Sequence, residues 1–143
     1  MASVTVVVPC YKYGRYVTEC VTSILANTEV DIDIHVIDDA SPDDSWSVVQ
    51  RLPELDERIR VERNERNLGL IGTANAGVLT APGDYVILLS ADDALAPGWL
   101  DRAVAVLENN PRAALAYGRR PCLRRARWWT IFTLSRASAS CMW

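Results

Sequence analysis

Two pairs of aspartates stand where hydrophobic runs end: Asp38-Asp39 after Ile34-His35-Val36-Ile37, and Asp92-Asp93 after Tyr85-Val86-Ile87-Leu88-Leu89. Carboxylates at strand ends are well placed to hold something, because in an open α/β sheet the ligand crevice lies beyond the carboxyl ends of the strands. Two acidic tips converging there suit a hard divalent cation, Mg2+ or Mn2+, which takes oxygen ligands, and they also suit sugar hydroxyls. His35, the single histidine, lies inside one of these runs and reads as a packed core residue, since no second histidine completes a metal site.

The elements that must carry these tips follow from periodicity. Val4 to Val8 is a β-branched run without alternation, ended by Pro9, as expected of a strand buried on both faces. Val17, Cys20, Val21, Ile24 and Leu25 draw one apolar helical stripe. A second strand spans Ile32 to Ile37. Beyond it Ser41 is a candidate N-cap, with Pro42 at the first helical position and Asp43 and Asp44 facing the dipole of a helix through Trp46, Val49 and Leu52. That cap would leave Asp38 and Asp39 free for a ligand. Ile59 to Arg63 reads as a third strand, Thr73 to Leu79 as a small-residue helix, and Asp84 to Leu89 as a fourth strand. A helix opening near Pro97 presents Leu100, Ala103, Val104 and Leu107 on one face, and Ala113 to Tyr117 reads as a fifth strand. The alternation predicts right-handed crossovers and a Rossmann-like, largely parallel sheet with helices on both faces.

At 143 residues and 50% hydrophobic the chain suffices for one ordinary core. Its net charge of -3 is unevenly spread. Residues 119–143 hold six arginines and no acid, and removing those six from the fifteen basic residues leaves nine against 18 acids. An acidic body argues against a nucleic-acid partner, whose affinity comes from neutralised phosphates. The tail from Arg119 places Trp128, Trp129 and Trp143 among arginines, serines and two cysteines, with neither helical nor strand period. Such an abrupt change is expected of a disordered end or an out-of-frame translation more than of a basic contact surface. Cys10, Cys20, Cys122 and Cys141 lack metal-ligand spacing and are expected to be free thiols in a reducing cytoplasm. No signal-peptide pattern opens the chain, and no apolar run approaches the roughly 20 residues of a membrane span.

Five motifs in order carry a resemblance: Val7-Val8-Pro9-Cys10-Tyr11-Lys12, Val36 through Asp43, Asn67-Leu68-Gly69, Asn75-Ala76-Gly77, and Gly83-Asp84-Tyr85 through Ala91-Asp92-Asp93. Each is common alone; together, at these spacings, the segment resembles family 2 glycosyltransferases of the GT-A fold. The resemblance implies that residues 1–118 form a nucleotide-sugar-binding domain and that 119–143 are an atypical basic tail. It implies a nucleotide-diphospho-sugar donor, UDP-linked, held with Mg2+ or Mn2+ for inverting transfer to a saccharide or lipid-linked acceptor. Pro9 would shape the loop that receives the base, Tyr11 would stack on it, and Asp39 would accept from its imide N–H while Asp38 braces the loop. Asp92 would take the ribose or the metal, and Asp93 the metal. Without the resemblance, Tyr11 reads as a loop aromatic, and the plain alternative for the acid pairs is helix capping.

The chain departs from the family pattern at Ser90, where relatives often carry an aspartate, and at Ala74, where they often carry a basic residue. No residue after Gly118 matches the family's acceptor half, and the expectation is a chain truncated after the donor half, without the catalytic base and with impaired transfer. The alternative is a non-catalytic nucleotide-sugar binding module or a degenerate remnant. A phosphoacceptor signalling domain is disfavoured, because the third strand ends in Arg63-Asn64 and Lys12 is the only lysine. Family analogy puts the work in the cytoplasm, peripherally at the inner face of the membrane.

Overall fold

The computed structural model describes residues 2–27 and 29–116 together with a strand at 133–135. In chain order the elements are β1 (Ser3–Cys10), α1 (Gly14–Leu25), β2 (Asp31–Asp38), α2 (Ser45–Val49), a 3-10 turn (Leu52–Glu54), β3 (Ile59–Arg63), α3 (Gly69–Leu79), β4 (Tyr85–Leu88), α4 (Trp99–Glu108), β5 (Leu115–Ala116) and β6 (Thr133–Ser135). The sheet order is β3-β2-β1-β4-β6-β5. The first four strands are mutually parallel, and β6 runs antiparallel to both β4 and β5.

Helices cover both faces, as the unalternating strands demand. Val4, Val6 and Val8 of β1 pack with Ile32, Ile34 and Val36 of β2 against α1, α2 and α4. Val7, Ile37 and Val86 point the other way, under α3. Each of these buried side chains contributes about 1.5–3 kcal/mol, against about 0–1 kcal/mol for a surface ion pair such as Asp33–Arg60. Apolar burial therefore sets the strand register. α3 sits close because of Gly77: a Cβ there would overlap the Val7 side chain and lie 3.0 Å from Ile37 Cδ1. The opposite side of α3 leaves Ile71 and Leu79 exposed.

Pro9 does not end β1, which continues through Cys10. Leu89 N–H donates to the Val7 carbonyl and Asp39 N–H to the Cys10 carbonyl, on opposite sides of the strand. Pro9 faces the same side as Val7, beyond the end of β4, so its missing N–H costs no ladder bond. The helix expected through Leu52 stops at Val49, and a 3-10 turn follows, because Pro53 has no N–H to continue the ladder. Ser41 does not cap α2, which begins at Ser45 with Asp44 at the N-cap and no side-chain cap bond. α3 starts at Gly69, four residues before the expected Thr73.

His35 is buried as expected, with Nε2 3.2 Å from Glu62 Oε2 and Nδ1 lacking a hydrogen-bond partner among the described residues. Burial and the neighbouring Arg60 guanidinium outweigh Glu62 and lower its pKa. Strand β6 lies in the region where the sequence shows no period; the rest of 119–143, with Cys122, Cys141 and the three tail tryptophans, lies outside the described residues, as does Tyr117 of the expected fifth strand.

Candidate functional site

β1 lies between β2 and β4, so the acidic tips of those two strands flank the loop that follows Cys10. The order of connection reverses there, β1 passing to β2 on one side and β4 joining on the other, which is where open α/β sheets bind ligands.

At the β2 tip both acids are held by neighbours. Asp38 is fully buried. Its Oδ2 accepts from Ser41 N–H at 3.1 Å and pairs with Arg63 Nε at 3.2 Å, while Oδ1 has no hydrogen-bond partner among the described residues. Arg63 also donates Nη2 to the Ser41 carbonyl at 3.1 Å and lies over the Trp46 ring. Asp38 thus braces the loop. Asp39, 3% exposed, accepts at Oδ1 from Asn64 Nδ2 and from Leu68 N–H, both at 2.8 Å. Burial alone would raise its pKa. The Leu68 N–H, the Asn64 amide, the Thr73 hydroxyl and the Gly69 N–H together outweigh that and hold it below the ordinary carboxylate value.

The β1 loop is tied to the β2 tip by Lys12 N–H donating to Ser41 Oγ at 3.1 Å. Lys12 and Ala40 both have left-handed backbones, at φ 60 and 54 degrees, which costs a non-glycine residue about 1–2 kcal/mol. Two such residues at adjacent strand tips mark a loop held in shape by its surroundings. Tyr11 projects from it, 40% exposed, with Lys12 Nζ 5.2 Å from the ring centroid. Gly14 opens α1 against α2: its N–H reaches Ser45 Oγ at 2.9 Å, and a Cβ would come within 2.7 Å of Ser45 Cα.

The β4 tip is clamped by α1. Cys20 Sγ donates to the Ser90 carbonyl at 3.6 Å, Leu95 N–H to Ser23 Oγ at 2.9 Å, and Leu100 N–H to the buried Asn27 Oδ1 at 3.1 Å. Asp92 is exposed and accepts from Ser90 Oγ; Asp93 is half-buried. Burial, and then the charge of Asp92, raise the pKa of Asp93. Among the described residues neither acid pairs with a lysine or arginine. An anionic pair without a protein cation fits Mg2+ or Mn2+, which complete their shells with water and phosphate oxygens and need only one or two carboxylates. No cluster of three or more His, Cys, Asp or Glu suited to a metal occurs among the described residues. Cys10 and Cys20 are both buried; burial is the main reason the Cys10 thiol is pushed up to about 11 and the Cys20 thiol is raised as well. They remain protonated and inert.

Arg63, Asn64 and Thr73 had not been singled out as site residues. The parallel register sets Arg63 directly beside Asp38.

A largely parallel sheet with acid-bearing tips on both sides of the order reversal defines a GT-A-type α/β fold, and solved structures agree. A mannosyltransferase of Pyrobaculum calidifontis in complex with GDP-Man and Mn2+ superposes over 96% of this chain and 45% of its own, with TM-score 0.81 at 21% identity. TarS of S. aureus in complex with UDP-GlcNAc superposes over 87% of this chain and 36% of its own, with TM-score 0.73 at 21% identity. The chain belongs to glycosyl transferase family 2, whose pattern it matches over residues 5–137. A Haemophilus influenzae protein named as an uncharacterized glycosyltransferase is 36% identical over 107 residues, 75% of this chain and 33% of its own length. Glycosyltransferase GlyG of Streptococcus pneumoniae is 37% identical over 90 residues, 63% of this chain and 30% of its own. The chain thus spans about a third of the length of these relatives.

Proposed function

We propose that this chain binds the donor of a glycosyl transfer, a nucleotide-diphospho-sugar with UDP as its nucleotide, at the tips of β1, β2 and β4. The observation that carries the reading is the placement of the Asp39 and Asp92-Asp93 tips on either side of the Tyr11 loop. Pro9, one residue before the end of β1, shapes the start of the loop. Tyr11 offers a ring face to the base, and stacking of that kind contributes about 1–3 kcal/mol. Asp39, kept ionised by its donors, accepts from the imide N–H. Asp92 takes the ribose or shares the metal, and Asp93 holds the metal; the lack of a paired cation among the described residues supports this. Bound there, Mg2+ or Mn2+ would stabilise charge on the nucleoside diphosphate leaving group.

Inverting transfer also needs a base beside the acceptor hydroxyl, and none of the residues at these tips is assigned that role. The acceptor is a saccharide or a lipid-linked saccharide. A cytoplasmic site at the inner face of the membrane rests on family analogy. No helix among the described residues is long and apolar enough to cross a membrane.

The donor-binding domain is taken as residues 1–118. β6 lends a strand to the edge of β4 but carries none of the donor residues. Deleting residues 119–143 is expected to lower stability and to leave Mn2+-dependent UDP binding intact in equilibrium dialysis. A truncated, folded chain that no longer binds UDP would defeat this assignment.

A further inference from the structure

Arg63, the last residue of β3, and Asn64, the next, each hold one acid of the β2 tip, Arg63 on Asp38 and Asn64 on Asp39. The Asn64 contacts fix its amide completely. Nδ2 donates to Asp39 Oδ1 at 2.8 Å and to Thr73 Oγ1 at 2.9 Å, and Asn64 N–H donates to the Asp38 carbonyl at 2.8 Å. Turning the amide over would set its oxygen against a carboxylate, where neither group can donate. Rotating it away would break two bonds at once. Leu68 N–H completes the grip on the same oxygen.

We propose that Asn64 is a positioning residue for recognition of the donor's base, holding Asp39 by Oδ1 so that its other oxygen is kept as an acceptor for an imide N–H. This rests on the reading of Asp39 given above. A carboxylate held in this way stays acceptor-only, so it favours a base with an N–H donor at that edge, such as uracil, and disfavours one with an acceptor there, such as cytosine. Thr73 extends the grip to the first turns of α3, so the base-reading acid and the α3 packing on β1 form one unit.

The test compares UDP with N3-methyl-UDP, in which a methyl group replaces the imide N–H, by calorimetric titration of the full chain in Mn2+. The wild type is expected to favour UDP by about tenfold to a hundredfold, the usual range for one hydrogen bond to a charged group. Asn64→Ala is expected to collapse that preference to less than about threefold while affinity for N3-methyl-UDP stays nearly unchanged. Asn64→Ser, which keeps one donor, is expected to fall between and serves if the alanine variant does not fold. A merely structural Asn64 would weaken both nucleotides alike and keep their ratio, which overturns the proposal. A wild type that binds both equally would instead remove the Asp39 reading itself, and the two failures are told apart before any variant is made.

Discussion

Removing the Arg63 side chain strands a charge. Asp38 is fully buried and, among the described residues, one of its oxygens lacks a hydrogen-bond partner and Arg63 is the cation paired with it. Breaking a fully buried pair costs about 3–5 kcal/mol and an exposed one about 0–1 kcal/mol. With the Arg63 side chain 42% exposed, water reaches the gap it leaves, and a charge-stranding cost of about 2 kcal/mol is expected. Loss of the Ser41 carbonyl bond adds about 1 kcal/mol, and loss of the Trp46 contact adds about 0.5 kcal/mol. Arg63→Ala is therefore expected to lose about 3–4 kcal/mol. In an Asp38→Asn background no charge is left behind, and the same substitution is expected to cost only about 1–2 kcal/mol. Urea denaturation at pH 7 of the wild type, the two single variants and the double variant reads this directly, with unchanged slopes. Coupling of about 2 kcal/mol supports the account; single-variant effects that add to within about 0.5 kcal/mol would refute it.

Gly77→Val forces three extra carbons toward Val7 and Ile37 and is expected to destabilise by more than about 1–3 kcal/mol, seen as a fall in melting temperature; an unchanged melt would contradict the α3 packing. His35 has its pKa lowered in the folded chain, so its contribution is complete above its ordinary value of 6.5 and is lost as pH falls from there toward the folded value. Urea midpoints between pH 7 and pH 5 should drop in the wild type and stay flatter in His35→Gln. Asp93, with its pKa raised, should release Mn2+ on acidification at a higher pH than an ordinary carboxylate would; Asp92→Asn should lower the Asp93 pKa by carboxyl NMR titration while weakening Mn2+ binding.

The parallel sheet was legible because β1 and β4 are nearly continuous apolar runs, and a strand buried on both faces shows no other pattern. The positions of the two acid pairs followed from the ends of the hydrophobic runs before them. How the β2 acids are used did not, because their partners lie about 25 residues further on, at the end of β3, and only the pairing of strands brings them together. Ser41 misled for a local reason: serine before proline and two aspartates is a good capping sequence, yet its hydroxyl is taken by Lys12 N–H across the sheet tip. β6 was illegible since three residues, Thr133–Ser135, give too short a pattern to separate from an arginine-rich surrounding.

The central claim is that the β1, β2 and β4 tips hold one ligand together. Amide NMR of the labelled chain with UDP and a trace of Mn2+ tests it most directly, since the paramagnetic ion broadens only signals near it. Broadening of Ala91, Asp92 and Asp93, with shifts at Tyr11, Lys12 and Asp39 that require UDP, is the predicted result. Broadening elsewhere in the chain, or UDP shifts that leave Tyr11 and Asp39 untouched, would contradict it.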